Sequence, residues 1–433
     1  MKKIIIIFFA LATSKQLFSK EKELDELIRA TTENSLAQKA ATENMNAATL
    51  EKDRSSKHWL PQVYLNGQSF LSNDPGTALF GKLSQREIKN SDFMSDSLNH
   101  PDTAVYTKAA LGVSLALYEG GQKIAMNKAM TSMSEAKQLE AKAIQNEFYI
   151  EVVKNYLTGK NLSFEKLDLN QIKITIDSII SHYQVGNKQN QLGYSGLLGL
   201  KSLQNRVIAL LDENKARNVG TQKALAELSG FTTDLKFSND STLSSLLKEY
   251  LAYSENNYLP SSKVQSFFEN AKSAKEMIDA EKSRNLPRVG LFGEGYAFNG
   301  DRNLGKGFTT GIYLNWNLFS GNDYGAAQEA IHKSKAAQYY AEAGLQKEKV
   351  EYLGLKDALE AVTHSLTLLN ESEKYLEEQT KISHNLFKNG LINALQYVEV
   401  LSRRVDLIKS KSIAQDQLIL VHSQLAKTQG ATL

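Results

Sequence analysis

The chain has no cysteine, which excludes a disulfide framework, a thiolate metal site and a lipid-modified cysteine. Proline is scarce too, 5 residues in 433, so little interrupts long helices. After the first residues no stretch reaches the roughly 18 apolar residues that a membrane-crossing helix needs. An excess of either charge is also missing. Lys+Arg 51 against Asp+Glu 48 leaves a formal charge of +3, which argues against a nucleic-acid partner requiring a concentrated basic surface. The 7 histidines include no H-E-x-x-H pair, and no G-x-S-x-G elbow occurs. The segment GDRNLGK, 300–306, has most of a phosphate-binding loop. Gly307 stands where Ser or Thr is required, however, and a strand follows where a helix is needed, so it reads as an external loop. The expectation is a protein that is not an enzyme and holds no cofactor or metal.

What is present begins with Met1, Lys2 and Lys3 before an apolar run from Ile4 to Ala12, the layout of a secretory signal peptide assigned to 1–19. A polar, Ala- and Glu-rich helix is expected over 21–57. Trp59, Leu60 and Pro61 end it, and proline suits the first position of a strand. A turn-rich loop over 69–106 separates the first strand from a second that closes at Gly120 and Gly121. A helix then runs over 123–182, ~90 Å at about 1.5 Å per residue. Gly186 in YQVGN reads as its cap, and a returning helix covers 191–228. The Ser-, Asn- and Leu-rich stretch that follows is either a linker or a small packed excursion. Pro260 opens a helix to Arg284. Two more strands, a long helix over 323–387, a cap at Gly390 and a second returning helix complete the chain.

The second half repeats the first. Pro61 matches Pro287 at a shift of 226, Gly120 matches Gly321 at 201, Gly186 matches Gly390 at 204, and Gly230 matches Gly430 at 200. The drop from 226 to 201 places about 25 extra residues in the first strand loop, the kind of end that varies when it faces solvent. The domains are therefore a first repeat over 20–230, a linker or equatorial segment over 231–258, and a second repeat over 259–433.

Strand faces follow from period-two alternation. Leu111, Val113, Leu115 and Leu117, then Ile312, Leu314, Trp316 and Leu318, form apolar faces. Ser114, Asn315 and Asn317 fall on the opposite face and would line a wet lumen. A soluble antiparallel sheet alternates in the same way. Four strands in lipid would leave open edges at several kcal/mol per unpaired group, so a membrane sheet must close with other subunits. Leu391, Val398 and Val405 recur every seven residues, as do Ala394, Leu401 and Ile408, which also suits a soluble coiled-coil rod.

Taken in order, an LPxV strand, an alternating strand ending in an aromatic and Gly, a long helix, an aromatic-x-x-Gly tip and a helix ending in LAxxxG occur twice. This set resembles the TolC outer-membrane efflux protein family over essentially the whole mature chain. The resemblance implies an α+β fold in which very long helices form a trimeric periplasmic α-barrel and four strands per protomer enter a shared transmembrane β-barrel. It implies a homotrimer in outer-membrane lipid that docks a periplasmic adaptor (membrane fusion) protein and an inner-membrane transporter. Such an exit duct of a tripartite efflux or type I secretion system conducts substrates passively to the outside. Matched to the family's tip, Gln396 and Glu399 occupy the two acidic positions of the tunnel constriction. Val185 and Gly186, with Gly390 and Leu391, match the adaptor-contact motif, whose bland alternative is a pair of helix caps. Phe387 and Ile392 stand where the family often carries a tyrosine and an arginine. The alternative function is a periplasmic adaptor or a coiled-coil structural protein.

Overall fold

The computed structural model describes residues 22–183, 190–230, 237, 242–253 and 258–429. The expected signal peptide, 1–19, lies outside the described residues. The chain separates into two compact units, one of Met1–Asn44, Gln138–Ser266 and Glu342–Leu433, the other of Met45–Lys137 and Phe267–Ala341. Each repeat contributes to both. The helices are α1 (Lys22–Asn34), α2 (Leu36–Ser56), α3 (Pro75–Ser84), α4 (Ser95–Asn99), α5 (Gln122–His182), α6 (Gln191–Ser229), α7 (Leu243–Tyr250), α8 (Ser262–Lys282), α9 (Ala326–Lys388) and α10 (Ala394–Gln429). All five prolines stand where their missing N–H costs nothing: Pro61 and Pro287 just before strands, Pro75 at the first position of α3, and Pro101 and Pro260 between elements. The uninterrupted runs of α5 and α9, 61 and 63 residues, follow from that placement. The helix expected over 21–57 is instead two, α1 and α2, separated at Ser35, although the bond from Ser35 N to Thr31 O carries the ladder into the break.

In the first unit the apolar stripes of α1, α5, α6, α7 and α10 meet in a core that includes Leu27, Val153, Leu157, Leu225, Leu247 and Ile419. The stretch after α6 is packed where it is described. Phe237 stands edge-on to Tyr156, with ring centroids 5.4 Å apart, and a Cβ at Gly159 would lie 2.1 Å from its ring. A second core joins Leu169, Ile172, Ile176, Leu200, Leu203 and Val207 to Tyr397, Leu401, Val405 and Ile408. Of the heptad positions, Ala394, Leu401, Val405 and Ile408 are buried and Val398 packs half-buried against them, whereas Leu391, which precedes α10, is exposed.

The second unit holds a four-stranded antiparallel sheet in the order β1 (Gln62–Ser72), β2 (Ala104–Glu119), β3 (Arg288–Asn299), β4 (Gly305–Asn315). Its helices approach through small residues. Ala129, Ala136 and Ala341 are fully buried, and the Ser273 hydroxyl donates to the Ala129 carbonyl at 2.8 Å. β1, β2 and β3 are longer than expected and the loops shorter. Ala104 already pairs with Ser72, and only residues 300–304 separate β3 from β4. The segment between β1 and β2 carries α3 and α4, because Asp74 caps α3 by accepting from Thr77 N at 2.7 Å and Pro75 presets its first turn.

Candidate functional site

Register fixes the two faces of the sheet. Leu65 pairs with Leu111, and Leu291 pairs with Ile312 on one side and Leu115 on the other, so one face is apolar over most of its length, with Ser69, Thr107, Asn299 and Lys306 toward the β1–β2 and β3–β4 connections. It is also bare: Leu65 is 79% exposed, Ile312 72%, Leu314 67% and Leu111 58%. Covering a side chain of this kind is worth about 1.5–3 kcal/mol, and a contiguous patch this size marks an interaction with lipid or protein. Both sheet edges are bare too, since among the described residues β1 and β4 each have one neighbouring strand.

The opposite face is mixed. Ser114 lies on it, paired with Gln62 and Phe292, as does Asn315, paired with Arg288. Aromatic rings lie flat across glycines of the next strand. A Cβ at Gly112 would stand 2.2 Å from the Tyr64 ring, one at Gly290 2.4 Å from Tyr313, and one at Gly307 2.4 Å from Tyr296. By crossing Gly112, Tyr64 donates to Glu294 Oε2 at 3.1 Å, and Lys108 Nζ stands 3.7 Å from Glu294 Oε1. The small residues that leave room for this layer are part of the alternation; the ring-over-glycine pairing was not legible, because it needs the register.

Asn317 requires a correction. It was expected on a strand, but β4 ends at Asn315. The repeat supplies the reason. Asn315 pairs with Arg288 as Ser114 pairs with Gln62; β2 continues past Ser114 to Glu119 only because β3 lies on its other side. Among the described residues no strand lies on the corresponding side of β4, so 316–320 pair with none of them. The indole of Trp316 donates instead to the Asn285 carbonyl at 3.1 Å.

The other candidate residues lie in the first unit, at the connection from α9 to α10. Gly390 has φ +72°; its N–H bonds Phe387 O at 3.0 Å and Leu391 N bonds Leu386 O at 2.9 Å, the paired bonds of a Schellman cap. Leu391 is exposed. Asn393 and Gln396 then cap α10 reciprocally, Gln396 N to Asn393 Oδ1 and Asn393 N to Gln396 Oε1, each 3.0 Å. Glu399 is exposed one turn further on and accepts from Arg403 at 2.6 Å. Val185 and Gly186 lie outside the described residues. Behind this end stands an aromatic stack that the sequence reading missed: Tyr183 on Phe387 at 6.3 Å, and Phe387 on Tyr397 at 5.3 Å. Tyr397 is buried, and its hydroxyl is 3.1 Å from His384 Nδ1. Glycine allows the close approach of α6, since a Cβ at Gly196 would lie 2.6 Å from that of Ala394.

A buried polar network, also missed, ties α5, α6 and α10 together in the same unit. Glu165 has no exposed side-chain surface. It accepts from Asn214 at 3.1 Å, Ser412 at 2.9 Å and Lys409 at 3.3 Å, with Arg217 3.6 Å away. Lys409 also reaches Glu213 at 2.8 Å, a bond that holds the Glu213 carboxyl below its ordinary range. Arg217 pairs with Asp416, and Asn161 donates to Asp416 at 2.8 Å. Among the described residues no group of acidic or histidine side chains could hold a metal ion, and no helix is long and apolar enough to cross a membrane.

No protein-family model and no curated protein sequence matches the chain. Solved structures do match it. CusC, described in connection with folding and transmembrane channel formation, aligns with TM-score 0.77 at 12% identity over 95% of this chain and 92% of its own. The outer membrane protein VceC of Vibrio cholerae aligns with TM-score 0.74 at 14% identity, covering 94% of this chain and 96% of that one. The MtrE outer membrane channel of Neisseria gonorrhoeae, in its open state, gives 0.73 at 14% over 94% and 88%. With the very long helices, the four antiparallel strands and the twofold repeat, these matches show that the chain has the TolC-like outer-membrane channel fold.

Proposed function

We propose that the chain is one subunit of an outer-membrane exit duct, with the strands in the membrane and the long helices in the periplasm. The observation that carries this is a sheet with one bare apolar face and two bare edges. Neither feature is tolerated in water, and both are satisfied when copies close a barrel in lipid. Three copies, the number the TolC-like resemblance implies, make the barrel, and the duct works with a periplasmic adaptor and an inner-membrane transporter. An adaptor or coiled-coil protein would have no use for the apolar face.

The repeat also specifies how copies join. Carrying the β2–β3 register over by the repeat shifts pairs β4 of one copy with β1 of the next, setting Trp316 opposite Leu65 and Phe319 opposite Val63 and extending the strand through Asn317. Because the chain lacks cysteine, a Leu65→Cys, Trp316→Cys double variant tests this directly. Oxidation is expected to link subunits covalently on a denaturing gel, and absence of linkage in membrane-extracted protein would reject the register.

At the helix end, Gly390 and Leu391, with Val185 and Gly186, form the adaptor contact, and Gln396 and Glu399 line the constriction. Cation preference there is set by Glu399 against Arg403, its neighbour one turn on. In planar bilayers under a salt gradient the protein is expected to give small, long-lived, cation-preferring steps. Glu399→Ala should lower the preference and Arg403→Ala should raise it. Unchanged selectivity in both would remove the pair from the constriction, and a folded protein that never inserts would favour the adaptor.

A further inference from the structure

The extra residues of the first strand loop fold back onto the sheet. Phe70, Tyr106 and Phe298 stand side by side on the mixed face near the β3–β4 turn, with Tyr106 5.7 Å from Phe70 and 6.0 Å from Phe298. α3 lies on them: a Cβ at Gly81 would meet the Tyr106 ring at 2.8 Å and Phe298 at 3.4 Å, and Tyr106 is only 1% exposed. The backbone comes closer still at Gly305, where a Cβ would stand 1.9 Å from Ser84 O. Glycine is required there, since any side chain would lift the segment off β4.

Beyond that seat is a latch joining the two repeats. Arg302, in the β3–β4 turn, donates to both oxygens of Asp92, at 2.8 and 2.5 Å. Lys82 adds a third bond at 3.1 Å, and Asp92 is 4% exposed. The paired geometry is the strong form of such a contact. Arg302 also bonds the Glu87 carbonyl, its N–H meets Gln85 Oε1 at 2.8 Å, and Asn303 donates to Glu87 Oε1 at 2.8 Å. The segment 300–306, read from sequence as an external loop, is thus the fixed half of the latch. Hydrogen bonding from Arg302, above all, holds the Asp92 carboxyl far below its ordinary range. A carboxylate depressed on folding is fully ionised above its unfolded pKa and loses its bonds only as pH falls through the lowered value, so the latch is closed in neutral and mildly acidic media.

We propose that residues 75–99 are a lid, seated on the mixed face and latched by Arg302 to Asp92, that narrows the outer mouth of the duct and sets the size of solute that leaves. This rests on the barrel reading, in which the mixed face points inward. The second repeat has no such insert, so each subunit brings one lid.

The test uses the full-length protein in planar bilayers, with polyethylene glycols of graded size to measure the mouth. Because Ser72 and Ala104 are partners in register, replacing 73–103 by Asn-Gly closes the hairpin with a two-residue turn. This lidless variant is expected to conduct several-fold more and admit larger polymers; Arg302→Ala and Gly305→Val should move both readings the same way by less. Lidless channels with wild-type conductance and polymer cut-off would overturn the lid while leaving the duct intact. Should the lidless variant fail to insert, the two point variants decide by the same readings. If the wild-type protein does not insert, the duct reading falls and the lid with it.

Discussion

Leu111→Arg is expected to abolish stable residence in the outer membrane, whereas Ser114→Arg, three positions along the same strand, is expected to insert. Leu111 sits at the middle of β2, opposite Leu65 and Gly295 on the apolar face. An arginine on the lipid face of a barrel costs about 2–4 kcal/mol at the bilayer midplane. Each copy brings one, so a barrel of several copies carries a penalty of roughly 10 kcal/mol, comparable with the whole stability of an ordinary fold. Ser114 faces the other way, toward Phe292 and Gln62, where an added charge remains hydrated and should show itself as lower conductance. Density fractionation separates the outcomes: Leu111→Arg lost from the outer-membrane fraction, Ser114→Arg retained. Equal behaviour of the two would mean that the faces are assigned wrongly.

Glu165→Ala is expected to lower stability by about 3 kcal/mol, at the lower end of what breaking a buried ion pair costs. The loss is moderated because Lys409 keeps Glu213 and Arg217 keeps Asp416. It remains large because Asn214 and Ser412 lose the acceptor that satisfied them. Glu165→Gln keeps one oxygen for Asn214 and Ser412 but turns an NH2 toward Lys409 and removes the charge, so it should cost less than alanine, about 1–2 kcal/mol. Denaturant midpoints of the detergent-solubilised protein provide the comparison. An alanine variant as stable as wild type would mean that the network contributes nothing to the packing of α5, α6 and α10. Ion selectivity should not change in either variant, since the network lies buried away from Glu399 in sequence and in bonding partners.

Much of the architecture was legible because its signals are local. Five prolines at element ends, two strand pairs with period-two alternation and glycines at corresponding helix ends are each read within a few residues. The repeat then presents each element twice. Gly390 shows how far such a signal reaches: its position marked a helix end, and its φ of +72° is the conformation that glycine alone adopts cheaply. The capping box at Asn393 and Gln396 is equally local, since N-A-L-Q sets the two reciprocal partners three residues apart.

The sequence by itself determined the long helices, the two strand pairs, the repeat and the apolar strand faces, because periodicity and turn chemistry act between near neighbours. Only the tertiary structure decided where β4 stops, which residues latch 75–99, and that Glu165 is buried among cations. Those depend on partners far along the chain: Lys409 lies 244 residues from Glu165 and Arg302 lies 210 from Asp92. No local pattern distinguishes a charged residue that meets such a partner from one that faces water, since the difference is made by chain segments that only folding brings together.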